Sequence, residues 1–210
     1  MKNSKKQRLL KHLNFLKSIG YDFHEPLNLL TNDANNLKLP NDIFSLKNSV
    51  ENCYLCELSK TRKKTVFGDG NINSNIMFIA DYPGSLEDET GRVFVGRSGE
   101  LLTKMIENVL SIKREDTYLA NIVKCKPNDT LSNSCANLCK GYLLKQIELI
   151  RPKIIVTLGK TAYKHLTDDD SSLSKIRGQS ISYKDIVLFP TFHPSFLLRN
   201  PSFKKDAYIN

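Results

Sequence analysis

The run KIIVTLG, residues 153–159, begins just after Pro152 and is apolar at nearly every position. A strand with one face in water alternates apolar and polar residues, so an unbroken apolar run must be covered on both faces. Strands of that kind belong to parallel sheets whose crossovers are helices. The rest of the chain fits this requirement. NIMFIA (75–80) reads as a second buried strand, TYLANIV (117–123) as a third, and SISYKDIVLFPT (180–191) as a hairpin turning at Lys184-Asp185. Between them, SGELLTKMIENVL (98–110) places Leu101, Leu102, Met105, Ile106 and Val109 on one helical face. LCKGYLLKQIELI (138–150) is a helix stopped by Pro152, KTAYKHL (160–166) is a short one, and SFLLRNPSFKKDAY closes with one or two helical turns. The fold class predicted is α/β: a three-layer αβα domain around a central, mainly parallel four-stranded sheet, with an N-terminal helical extension.

That extension is read from residues 5–19, where Leu9, Leu10, Leu13, Leu16 and Ile19 form a helical face opposite Lys and Arg, and Gly20 ends it. Residues 21–42, rich in Asn, Asp, Leu and Pro, read as a linker. The expected division is therefore 1–48 for helix and linker and 49–210 for the α/β domain. No stretch is long and apolar enough to span a bilayer, and the basic N-terminus lacks a continuous apolar core of the signal-peptide kind. A cytoplasmic protein without membrane contacts is expected. The 31 Lys and Arg outnumber the 22 Asp and Glu, giving a net charge of +9 that attracts polyanions, nucleic acid first among them. A basic enzyme with no polyanion partner carries the same charge.

Five cysteines, an odd number, point to metal or a free thiol rather than a disulfide framework. Cys53-Tyr54-Leu55-Cys56 is a C-x-x-C that can chelate a metal centre; a redox pair competes, but that motif belongs inside the βα core and this one precedes the first core strand. A four-thiolate site would take two more ligands from Cys125, Cys135 and Cys139. Zinc and an iron–sulfur cluster are both compatible with such a set. The plain alternative is five small buried hydrophobes.

Open parallel sheets place their sites at the carboxyl ends of the strands. Here these are the segments after Ala80, around Asn121 and after Pro190. After Ala80 the strand pattern breaks at Asp81, Tyr82, Pro83 and Gly84, and Phe94 follows between Gly91 and Gly96. The three acids Glu87–Glu89 read as a solvated loop, since one carboxylate suffices for catalysis here. Asn121 is unfavourable inside a strand, and its amide can read the edge of a uracil or another amide-like ligand; bonding to nearby backbone is the structural alternative. Pro194 favours an extended His193, presented on a loop at the strand end, where a structural histidine is the commoner case. Ser195 can donate to a phosphate. Leu197 and Leu198 beside Arg199 are either buried core or an apolar wedge of the kind that opens a duplex.

Seven segments then occur in one order: CYLCEL, VFGDGN, PGSLEDETGRVFVGRSGELL, ANIVKCKP, CKGYLLKQIELIRPKIIVTLGKTA, IRGQ and PTFHPSFLLRNP. Together, over residues 50 to 203, they resemble the family 4 uracil-DNA glycosylases, the iron–sulfur branch of the uracil-DNA glycosylase superfamily. The resemblance implies that Cys53, Cys56, Cys125 and Cys139 ligate a [4Fe–4S] cluster, Cys139 in preference to Cys135 because it precedes YLLKQ. It implies that Phe94 stacks on an extruded base, Asn121 reads its pyrimidine edge and His193 contacts uracil O2. Ser195, Leu197 and Arg199 then belong to the segment that engages DNA.

The implied activity is monofunctional repair of uracil-containing DNA: the base is flipped out, its N-glycosidic bond is hydrolysed and an abasic site remains. The expected enzyme is monomeric, with a replication or repair partner conceivable through the N-terminal helix. Family members usually carry Gly-Glu-(Ala or Gly)-Pro-Gly where this chain has Ala80-Asp81-Tyr82-Pro83-Gly84. Asp81 keeps the charge with a shorter reach and is assigned to water and the sugar; Tyr82 adds a ring that narrows the pocket against the 5-methyl of thymine. The alternatives are a glycosylase for other deaminated bases such as hypoxanthine, a non-catalytic iron–sulfur DNA-binding module, and a zinc-stapled binder.

Overall fold

The computed structural model describes residues 39–208. The chain divides into two units between Asn36 and Leu37, and the expected helix over residues 5–19 and the linker up to residue 38 lie outside the described residues. The strands are β1 (Asp69–Gly70), β2 (Ile76–Ala80), β3 (Tyr118–Asn121), β4 (Ile154–Leu158), β5 (Ile181–Tyr183) and β6 (Ile186–Thr191). They form one sheet in the order β1-β3-β2-β4-β6-β5. The central four are mutually parallel, as the apolar runs require, and β1 and β5 add antiparallel edges. The sheet thus has six strands where four were expected. β1 is two residues long and carries no periodic signal, and β5 is the first arm of the hairpin, with Tyr183 opposite Ile186.

Both faces of the sheet are covered. Met77 and Ile79 of β2, Ala120 of β3 and Ile155 of β4 enter one core with Leu46 and Val50 of α1 (Ile43–Glu51). Leu143 and Ile147 of α4 (Asn133–Ile150) and Ala162 and Leu166 of α5 (Lys160–Thr167) complete that layer. The alternate residues Phe78, Ala80, Leu119 and Leu158 point the other way, against Leu102 and Ile106 of α3 (Gly96–Val109). Each fully buried aliphatic side chain contributes about 1.5–3 kcal/mol by leaving water, so this two-sided burial is what makes the runs read as continuous.

Several boundaries differ from expectation. α4 begins at Asn133 rather than Leu138 because the Ser132 hydroxyl accepts the Cys135 N–H at 3.2 Å and caps the helix early. α1 crosses the expected boundary at residue 48, capped by Asp42, whose Oδ1 accepts the Ser45 N–H at 2.8 Å. The acidic segment is a helix, α2 (Ser85–Thr90), and not a solvated loop. Its Asp88 is buried and accepts the Lys63 N–H at 3.1 and 3.2 Å, which anchors residues 61–66. The chain closes through α6 (Leu173–Ile176), α7 (Pro194–Arg199) and α8 (Lys204–Tyr208).

Candidate active site

Because β3, β2, β4 and β6 run parallel, their carboxyl ends share one edge. The chain passes from β2 to β3 on one side and later to β4 on the other, so the strand order reverses at β2, the usual place for a crevice in an open α/β sheet. Ala80 lies opposite Asn121, and the Val123 N–H donates to the Asp81 carbonyl at 3.1 Å. At the end of β4, Gly159 has φ +90, and a Cβ there would stand 3.2 Å from the His193 Cβ, so glycine lets the exits of β4 and β6 close up. The result is a cleft of about 620 Å³ whose lining includes Asp81, Tyr82, Phe94, Asn121, His193 and Arg199.

His193 lies two residues beyond the end of β6 and caps α7. Its Nδ1 accepts the Ser195 N–H at 3.1 Å and lies 2.7 Å from the Ser195 hydroxyl. A nitrogen that accepts a backbone N–H carries no proton, so the neutral ring holds its proton on Nε2. That nitrogen is 3.9 Å from Asp81 Oδ1. Burial lowers the His193 pKa, the Asp81 carboxylate raises it and Arg199 lowers it again, for a net depression. The cleft thus holds a neutral imidazole with an N–H donor, beside a carboxylate whose Oδ1 accepts the Tyr82 N–H at 3.0 Å.

Asn121 is 3% exposed. Among the described residues its carboxamide has no hydrogen-bond partner, while its main-chain carbonyl accepts from Lys124 Nζ at 2.8 Å. Asn121 lines the cleft, and its amide offers both a donor and an acceptor there. Lys124 was missed from the sequence. It is buried completely, also donates to Gln146 Oε1 at 2.6 Å, and burial brings its pKa down to about 8 against the opposing pull of Cys139 and Cys125. Gln146 Nε2 continues the network to the Phe67 carbonyl and the Tyr118 hydroxyl, each at 3.0 Å. A lysine following NIV gives no sequence signal for such burial.

The Phe94 ring lies 6.1 Å from the His193 ring, tilted by 31°. Tyr82 is half-exposed at the wall, where burial and the nearby Asp81 charge raise its pKa and keep the phenol neutral. Ser195 and Arg199 also line the cleft. Leu197 corrects the sequence reading: it is 0% exposed, packed with Leu101 and Ala207, because α7 is a helix whose inward face it occupies. Leu198, at 38% exposed, is the leucine that faces out. Glu87 of α2 joins the lining, unforeseen because its segment was read as a loop.

Cys53, Cys56, Cys125 and Cys139 line one small cavity with Arg62 and Tyr142, and none is in a disulfide. Arg62 Nη1 donates to the Cys125 sulfur at 3.4 Å, and the Lys124 N–H to the Cys139 sulfur at 3.3 Å. Burial pushes the Cys139 thiol up to about 12 and the Cys56 thiol up to about 11. Cys135 is absent from that lining and lies 3.7 Å from Glu57 Oε1. Among the described residues, no three His, Cys, Asp or Glu side chains gather tightly enough to hold a single metal ion.

Comparison with known proteins agrees with this geometry. Residues 67–210 match the model of the uracil DNA glycosylase superfamily. A Type-4 uracil-DNA glycosylase of Thermotoga maritima is 44% identical over 159 residues, covering 73% of this chain and 81% of that protein. Those of Sulfurisphaera tokodaii and Saccharolobus solfataricus are 39% and 40% identical over 170 residues, each covering 76% of this chain and 77% and 79% of theirs. With the superfamily model matching residues 67–210 and these relatives 39–44% identical over about three quarters of the chain, the chain belongs to the type-4 branch of the uracil-DNA glycosylase superfamily.

Proposed function

We propose that this protein excises uracil from DNA, and the observation that carries the reading is the Asn121 carboxamide, which bonds no other described residue and lines a cleft shared with Phe94 and the Nε2–H of His193. A base inside a duplex is out of reach, so it is flipped into the cleft at a cost of a few kcal/mol. Stacking on Phe94 and two hydrogen bonds from Asn121, one donated to O4 and one accepted from N3–H, offset that cost. As the N-glycosidic bond to C1′ breaks, its electron pair stays with uracil. The His193 N–H donates to O2, where negative charge grows. A neutral imidazole suits this task, since its donor needs no counter-ion in the closed site. The Asp81 carboxylate faces the cationic sugar and orients the water whose oxygen bonds to C1′; the proton that water loses passes, by way of Asp81 or solvent, to the uracil anion, which leaves as the neutral base. Tyr82 crowds the side of the pocket where thymine carries its methyl group. Arg199 meets the phosphates, and Leu198, rather than the buried Leu197, is the apolar residue placed to enter the stack.

Cys53, Cys56, Cys125 and Cys139 would hold a [4Fe–4S] cluster. All four line one cavity, and the likeness to type-4 uracil-DNA glycosylases, the iron–sulfur branch, supports a cluster over zinc. When bound, the cluster ties the segment 53–56 to the end of β3 and to α4.

The test is release of free uracil from a labelled duplex, with a chemically matched thymine duplex and a hypoxanthine duplex alongside. Uracil release that collapses in Asn121→Ala is the expected result. Tight binding to uracil-containing DNA with no base released would overturn the reading in favour of a non-catalytic module.

A further inference from the structure

Phe94 is one of the few non-glycine residues with a left-handed backbone, at φ +51. A phenylalanine gains nothing locally from that conformation, so its surroundings must impose it. Three features do so. Arg114 Nη2 donates to the Val93 carbonyl at 2.9 Å, and Nη1 donates to the Phe94 carbonyl at 3.3 Å. The same Nη1 donates to the Thr103 hydroxyl at 2.9 Å, and that hydroxyl donates to the Gly99 carbonyl at 3.0 Å. Gly99 itself forms the floor: a Cβ there would overlap the Phe94 carbonyl, which therefore sits directly on the backbone of α3. The Phe94 carbonyl is held in a notch, glycine below and guanidinium across the opening.

We propose that Arg114 is a positioning residue for base stacking: its planar fork fixes two consecutive carbonyls, holds Phe94 in the left-handed turn and so aims the ring into the cleft. The inference rests on the reading of Phe94 as the ring that stacks on the flipped base. Arg114 does not line the cleft and touches no base; it acts through the main chain of residues 93–94. Arginine suits the position because its donors diverge in one plane and can serve two carbonyls and a hydroxyl together, whereas an ammonium presents a single point.

A double-mutant cycle tests this, using single-turnover uracil release and affinity for a uracil-free duplex. Base–aromatic stacking is worth about 1–3 kcal/mol, so Phe94→Ala should slow release by about 5- to 150-fold. Arg114→Met should slow it by about fivefold or more while affinity for the uracil-free duplex stays within about twofold, because the docking surface is intact and only the ring is misplaced. In the double variant the second substitution should cost less than about twofold, since residues that act through one another are non-additive. Arg114→Lys should recover part of the loss. If Phe94→Ala releases uracil at the wild-type rate, the stacking reading fails and the inference falls with it. If Phe94→Ala is slow but Arg114→Met is not, or if the two losses multiply in full, the stacking reading stands and the inference alone is overturned. Should Arg114→Met not yield folded protein, the same cycle run with Arg114→Gln decides the matter by the same criterion.

Discussion

His193 carries the most direct consequence at the level of single residues. Its donor role requires the neutral ring, and its pKa lies below the ordinary histidine value of 6.5. Protonation would place a hydrogen on Nδ1, against the Ser195 N–H that now donates there. Uracil release should therefore be flat near neutrality and fall on acidification, with a midpoint below 6.5, and His193→Asn should remove that limb while lowering the plateau about 100- to 1000-fold. The same depressed pKa has a stability counterpart. The unfolded chain takes up the proton first, so stability declines as pH falls through about 6.5 and levels off below the folded value. Tyr82→Ala should admit thymine; a G·T duplex left untouched by that variant would show that the ring does not gate the methyl. Asp81→Asn at full rate would likewise remove the carboxylate from the mechanism. Asp81 and Asn121 stand out in the sequence because each breaks a strand pattern, whereas roles for Phe94 and His193 came from the family resemblance; all four line one cleft. Which leucine is exposed could not be read from the sequence. Leu197 and Leu198 are chemically alike, and only the start of α7 at Pro194 decides which of them faces inwards.

Among the elements, the end of β3 is the most constrained. Residues 121–125 hold the candidate base reader, a buried ammonium and a candidate cluster ligand in succession. Lys124→Met would leave the Gln146 amide oxygen and the Asn121 carbonyl without their donor. Each unpaired buried group costs about 1–3 kcal/mol, and a fall in the thermal unfolding midpoint should accompany slower uracil release. A variant equal to wild type in both would show that the network is dispensable. The four central strands were legible because residues buried on both faces leave an unbroken apolar run. α1 was not: its inward face is little more than Leu46 and Val50, and the Asp42 cap that starts it lies in a segment resembling a linker. β1 is beyond any periodic reading, being two residues that pair only because β3 offers an edge. The early start of α4 turned on one serine cap.

On the scale of the whole molecule, net charge and cysteine placement govern. A chain of net charge +9 should bind DNA with affinity that falls steeply with salt, and Arg199→Ala should reduce the slope of log affinity against log salt by about one if it meets a phosphate. For the cysteines, Cys139→Ser should lose iron content and brown absorbance together, whereas Cys135→Ser should retain both; the reverse pattern would exchange their roles. The two cysteines are one helical turn apart, and of them only Cys139 lines the cavity with Cys53, Cys56 and Cys125. The run from Asn121 to Cys125 has a further consequence for descent. One short stretch of main chain carries both the amide that lines the cleft and a thiol that lines the cysteine cavity. A lineage that remodels its metal ligands here disturbs what its pocket recognises, and one that drifts towards a new lesion disturbs its metal. The two traits are inherited as one, so new specificity in this branch should arise first at the exit of β2, where Asp81 and Tyr82 can change without touching a cysteine.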